Sequence, residues 1–179
     1  DRGADIEAKT HSHSTALHLA AENGHTKIVQ ALLAAGVGAN IEAKDINSMT
    51  ALHYAAQKGH TETANALLDK NADREAKALF GKTALHLAAT IGHNETVLAL
   101  IDAEADIEAK NQWGKTALHC AVINGYTATM LTLLNRGADI EAKDNYGWTA
   151  LHQAAENGDT ATVLTLLASG ADINATSRS

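Results

Sequence analysis

A chain of 179 residues that is 45% hydrophobic and 20% charged carries enough apolar content for a folded core, which excludes a disordered segment. Its net charge of −7, from 14 basic and 21 acidic residues, excludes a general binder of nucleic acid or of anionic membrane, because both need clustered cations. The longest apolar stretch, around Ala31–Ala39, is broken by glycine and falls far short of the ~20 residues that span a bilayer, so no membrane insertion is expected.

Cys120 is the sole cysteine and has no intrachain partner, which fits a reducing, cytoplasmic compartment. Alanine supplies 37 residues and only six are aromatic, so helices must approach one another through small side chains. No signal-like segment opens the chain, and its start in mid-pattern reads as a cut from something longer.

Taken in chain order, the elements repeat. Thr-Ala-Leu-His begins at Thr15, Thr50, Thr83, Thr116 and Thr149, at spacings of 35, 33, 33 and 33 residues. Ile-Glu-Ala-Lys recurs at Ile6, Ile41, Ile107 and Ile140, with Arg74-Glu75-Ala76-Lys77 as a variant, and two extra residues in Gly36-Val37-Gly38-Ala39 account for the longer spacing. The pattern divides one domain, 1–179, into a partial unit 1–9 and units of about 10–44, 45–77, 78–110, 111–143 and 144–179.

Within each unit the threonine predicts an N-cap, its hydroxyl placed to accept an amide of the first turn. Leu17, Leu52, Leu85, Leu118 and Leu151 share a helical face with a small pair three and four residues later, such as Ala20-Ala21. Gly24, Gly59, Gly92, Gly125 and Gly158 end that helix. A second helix opens at Thr26, Thr61, Asn94, Thr127 or Thr160 and carries Leu-Leu or Leu-Ile pairs. It stops at Gly36, Asn71, Gly137 or Gly170, while Glu104 takes that place once and predicts mild strain. The following segment holds turn glycines at Gly81, Gly114 and Gly147; His13 and Ser48 replace them in the first two units, where differently bent tips are expected. Two helices this short cannot bury their own apolar faces, so the units must stack.

A 33-residue period of Thr-Ala-Leu-His-x-Ala-Ala, then Gly-His, then Leu-Leu-x-x-Gly-Ala-Asp-Ile resembles the ankyrin repeat across practically all of residues 1–175. The family's usual proline after the capping threonine is replaced by Ala16, Ala51, Ala84, Ala117 and Ala150, a good helix former. The resemblance implies an all-α solenoid of stacked helix-turn-helix units with projecting β-hairpin loops. It also implies a non-catalytic scaffold that binds another protein along the concave surface of hairpin tips and first helices.

Ten histidines raise the question of a metal. His18, His53, His86, His119 and His152 occupy one repeat position, so stacking spreads them along a row and keeps them from converging within the ~2 Å that ligation needs. The resemblance gives this histidine a structural role, tying cap to neighbouring hairpin. Cys120 has no fixed base beside it, and no nucleophile elbow, phosphate loop or Cys-x-x-Cys occurs; neither catalytic residues, nor a metal, nor a cofactor is expected.

The aromatic residues carry the functional reading. Phe80, Trp113 and Tyr146 stand at one tip position in three consecutive units, and Trp148 directly precedes its capping threonine. Ile46, Met49 and Leu79 add apolar surface to the same edge. Rings that the fold does not need are characteristic of interface hot spots. The expected contact residues are Ile46, Met49, Leu79, Phe80, Lys82, Gln112, Trp113, Lys115, Ile123, Tyr146 and Trp148. Asn174, where earlier units have glutamate, matches the hairpin asparagine that hydroxylases modify in some ankyrin proteins. Two other readings stand beside this one. The array is a spacer or regulatory arm of a longer protein, an enzyme or a secreted microbial effector with activity elsewhere; or the terminal units, which lack a polar capping face, self-associate.

Overall fold

The structure, a computed structural model, describes residues 5–34 and 38–177. The helix stop expected at Gly36, together with Val37, lies outside those residues. Ten α-helices form among them, in five pairs: α1 (Ala16–Glu22) with α2 (Thr26–Leu32), α3 (Ala51–Lys58) with α4 (Thr61–Leu68), α5 (Ala84–Ile91) with α6 (Asn94–Asp102), α7 (Ala117–Ile123) with α8 (Thr127–Asn135), and α9 (Ala150–Glu156) with α10 (Thr160–Ala168). First helices pack on first helices of adjacent units, from α1 through α9, and α2, α4, α6 and α8 do the same. The core runs along this stack. Leu17, Leu52, Leu85 and Leu118 are fully buried beside Ala21, Ala56 and Ala89, whose small side chains let the helices close up.

The start of each first helix is the threonine N-cap expected, with the histidine three residues on completing a reciprocal capping box. Thr83 Oγ1 does meet the amide of His86, at a long 3.4 Å, but in every unit the short contacts run to the histidine. Thr50 donates its amide to His53 Nδ1 at 3.1 Å and its hydroxyl lies 2.9 Å from the same nitrogen. His53 Nε2 then reaches the Lys82 carbonyl of the next unit at 3.2 Å. A neutral ring with its proton on Nε2 satisfies all three contacts. His18, His86 and His119 repeat the arrangement against the carbonyls of Met49, Lys115 and Trp148. Burial drives the His53 pKa down to about 4 and lowers those of His86 and His119, against the opposing pull of their carbonyl partners.

Three further ladders cross the junctions. Rings at the N-caps of α4, α6 and α8 lie over the glycine that ended the first helix one unit earlier: His60 over Gly24, His93 over Gly59 and Tyr126 over Gly92. Hydroxyls at the starts of second helices pair, Thr26 with Thr63 at 2.9 Å and Thr61 with Thr96 at 2.8 Å. Glu42, Glu75, Glu108 and Glu141 each accept the amide of the next unit's Asp73, Asp106, Asp139 or Asp172 at 2.7–2.8 Å.

Glu104 adopts φ 63°, as the strain expectation required, and its carbonyl accepts a hydrogen bond from Arg74 Nε at 3.1 Å. The two departures from the repeat pattern therefore meet each other.

Candidate functional site

The tips are tight reversals closed by two backbone bonds each: Asp45 N to Met49 O with Ser48 N to Asp45 O, Ala78 N to Lys82 O with Gly81 N to Ala78 O, Asn111 N to Lys115 O with Gly114 N to Asn111 O, and Asp144 N to Trp148 O with Gly147 N to Asp144 O. No strand forms among the described residues, so these projections are hairpin-like turns. Consecutive tips are joined by one backbone bond each, Ile46 N to Ser12 O, Leu79 N to Asn47 O, Gln112 N to Phe80 O and Asn145 N to Trp113 O, and Asn145 Nδ2 adds a bond to Gln112 O, which aligns them along one edge. His13 (φ 63°) and Ser48 (φ 58°) take the same left-handed conformation as the glycines that replace them later, so the first two tips are not bent differently. Every tip therefore carries a left-handed residue two before its capping threonine, whatever side chain stands there.

A side chain inside the tip holds most of the turns. Asp45, Asn111 and Asp144 each accept two amides through Oδ1, those of residues two and four further on, at 2.8–3.1 Å. The Asp45 carboxylate also accepts the Tyr54 hydroxyl at 2.7 Å; burial first, and then that carboxylate, raise the Tyr54 pKa to about 12. Ala78 offers nothing equivalent, and the third tip tightens into a 3₁₀ turn, Leu79–Gly81.

The aromatic residues divide into two groups. Tyr146 (63% exposed) and Phe80 (45%) project, as do Ile46 and Leu79. Trp113 and Trp148 are half-buried. Trp113 leans on Phe80, centroids 5.3 Å apart at 39°, and Trp148 stacks on His152 at 6.4 Å. Each indole therefore keeps one face for its own array. Met49, Lys82 and Ile123 are also half-buried, whereas Gln112 is exposed.

Lys115 is less available than its position suggests. Its ammonium lies 3.1 Å from Asp144 Oδ2 and donates to Gln153 Oε1 at 2.9 Å. Burial raises the Asp144 pKa, but the amides of Trp148 and Tyr146 and the lysine outweigh it and hold the carboxyl below its ordinary value. Lys115, Asp144, Tyr146, Trp148 and Gln153 line a cleft of about 420 Å³ between the last tip and α9. Asp144 and Gln153 were not among the expected contact residues. Gln153 is the one hint in the sequence, a polar residue where other units have Leu19, Tyr54, Leu87 and Cys120.

Cys120 is buried, which raises its thiol pKa and leaves it unreactive. Among the described residues no three His, Cys, Asp or Glu side chains converge as metal ligands would.

The family model for ankyrin repeats, in three copies, matches residues 2–78 and 85–177. The chain belongs to the ankyrin-repeat family. Such arrays are protein–protein interaction modules and typically non-catalytic. No curated protein matches the chain at a significant level. No helix among the described residues of this ankyrin array is long and apolar enough to cross a membrane. Asn174, the residue singled out for hydroxylation, is exposed on a turn in which its amide bonds Asp172 Oδ1 at 2.9 Å.

Proposed function

We propose that this ankyrin array is a non-catalytic scaffold and that a partner protein docks on its tip edge, from Ile46 through Leu79, Phe80 and Trp113 to Tyr146 and Trp148. The observation that carries the reading is the run of exposed apolar side chains on consecutive tips, fixed in mutual register by backbone bonds. Met49, Lys82, Gln112 and Ile123 complete the surface toward the first helices, and Lys115 supports it by holding the last tip to α9. A matching partner presents apolar side chains to the rings and a carboxylate to Lys82, which makes no ion pair among the described residues. Asn174, exposed on its turn, is proposed as an acceptor for asparagine hydroxylation, which intact-mass measurement after incubation with such an enzyme detects as one added oxygen.

Affinity capture from the native source, with the bound proteins identified by mass spectrometry, tests the docking edge. Phe80→Ala with Tyr146→Ala is expected to lose the partner at least tenfold while Tm changes little, since truncating a well-buried interface aromatic costs about 2 kcal/mol or more in binding. Undiminished capture by the double variant overturns the assignment of the edge.

A further inference from the structure

We infer that the internal junction between units 78–110 and 111–143 forms a carboxylate site from the Lys82 ammonium and the Asn111 side-chain amide, and that an aspartate or glutamate side chain of the partner protein occupies it. The source of the carboxylate rests on the docking edge proposed above; the site itself does not.

The next junction shows these positions with their charges matched. Lys115 there lies 3.1 Å from Asp144 Oδ2 and donates to Gln153 Oε1 at 2.9 Å. One unit earlier, Lys82 takes the place of Lys115, Asn111 that of Asp144 and Cys120 that of Gln153. Both acceptors are lost in that exchange: a carboxylate becomes a carboxamide, and an amide oxygen becomes a thiol.

The backbone decides which way the Asn111 amide faces. Its Oδ1 accepts the amides of Trp113 at 3.0 Å and Lys115 at 3.1 Å, as Asp144 Oδ1 accepts those of Tyr146 and Trp148 at 2.9 and 3.0 Å. Two N–H donors require the oxygen on that side, so Nδ2 stands where Asp144 carries Oδ2. Asn111 is only 7% exposed, and its Nδ2 makes no hydrogen bond among the described residues. Lys82 is half-buried and makes no ion pair among them. Burial raises the pKa of the Cys120 thiol while the charges of Lys82 and Lys115 oppose it, which places both ammonium groups around that one side chain.

Two donors, one of them cationic, thus converge where the neighbouring junction sets a carboxylate oxygen between chain and lysine. Donors withdrawn from water without an acceptor are costly, and a carboxylate satisfies both at once. A polypeptide suits the position better than a free small acid. Phe80 and Trp113, each two residues from one of the donors, pack on one another with centroids 5.3 Å apart. A chain that covers these rings also screens the carboxylate from water, which strengthens its bonds to Lys82 and Asn111.

Nuclear magnetic resonance of the full chain during titration with sodium acetate, against sodium chloride at equal ionic strength, tests the site. The Asn111 side-chain amide and the Lys82 Cε signals are expected to shift saturably with acetate and not with chloride. Lys82→Gln should abolish the Asn111 response. Asn111→Asp supplies Lys82 with an internal counterion and keeps the tip, since Asp45 and Asp144 hold theirs in the same way. The Lys82 response should then vanish with Tm undiminished. For the partner taken up by the docking edge, Asn111→Asp should weaken binding about tenfold, the loss of one charge-assisted contact. The absence of a saturable shift, an equal shift with chloride, or a response that survives Asn111→Asp overturns the site. Acetate binding combined with unchanged partner affinity in Asn111→Asp overturns the partner as the source of the carboxylate. Undiminished capture by Phe80→Ala with Tyr146→Ala would overturn the docking edge and that source with it, while the acetate titration still decides the site.

Discussion

Two residues after Ala78, Phe80 turns into the left-handed region, φ 65°, a conformation that its counterparts Trp113 and Tyr146 avoid. The cause lies at residue 78. In the flanking tips Asp45 and Asn111 hold the amides two and four residues further on, and alanine leaves the equivalent amides of Phe80 and Lys82 without that acceptor. A bulky residue at positive φ is costly, so one of the rings proposed for docking sits on the least secured tip.

Ala78→Asn should therefore stabilise the array. Asparagine already occupies the site in the next unit, and two new hydrogen bonds at about 1 kcal/mol each, offset by ordering the side chain, predict a net gain of about 1 kcal/mol. Urea unfolding should show a higher midpoint at constant slope. Hydrogen exchange at the amides of Phe80 and Lys82 should slow selectively; unchanged exchange there would refute the explanation of the turn.

How much of this was legible in the sequence depended on how local each interaction was. Thr83 and His86 lie three residues apart, so the start of a helix could be read from the tetrad alone. The part played by the histidine ring could not, because its Nδ1 geometry follows from Nε2 being claimed by a carbonyl 29 residues away. The turns at His13 and Ser48 were misjudged because the left-handed position is kept whatever side chain stands there. The exposed edge was readable as rings without a core position, but the half-burial of Trp113 and Trp148 required knowing what the adjacent unit places against them. The link from Lys115 to Gln153 spans 38 residues and has no local signature.

Stability should fall on mild acidification. The pKa of His53 is near 4 in the fold and about 6.5 in the unfolded chain, and His86 and His119 shift the same way. Between those values the unfolded state binds more protons, so the stabilising contribution is complete above pH ~6.5 and is lost as pH falls toward 4. For His53 alone the full swing is roughly 3 kcal/mol. Chemical unfolding across this window checks the sign. His53→Gln should flatten the dependence while lowering stability at neutral pH, because it removes a bond between units.

The glycines that end the first helices should not be equivalent. A Cβ on Gly59 would lie 2.5 Å from His93 Nδ1, whereas one on Gly125 would meet nothing within 4 Å, although both residues have φ near 70°. Gly125→Ala should cost the left-handed penalty alone, about 1 kcal/mol. Gly59→Ala should cost distinctly more, since it also displaces the ring and its 3.1 Å bond to the Gln57 carbonyl. Paired urea titrations resolve the difference, and equal losses would mean that the ring does not pack on the glycine.

Asn94 breaks the threonine ladder. It occupies the helix position from which Thr26 and Thr61 reach a threonine hydroxyl of the next unit, yet its Oδ1 is buried without a partner. Thr129, the hydroxyl it should meet, is itself buried. Threonine at residue 94 removes the orphaned carbonyl and supplies a hydroxyl at the spacing already seen one unit earlier. An unsatisfied buried acceptor costs about 1–3 kcal/mol, so Asn94→Thr should stabilise the array by about 1 kcal/mol after the change in helix propensity. The double variant Asn94→Thr with Thr129→Val should forfeit the gain. If Thr129→Val leaves the gain intact, relief of the orphaned carbonyl accounts for all of it and the hydroxyl pair contributes nothing.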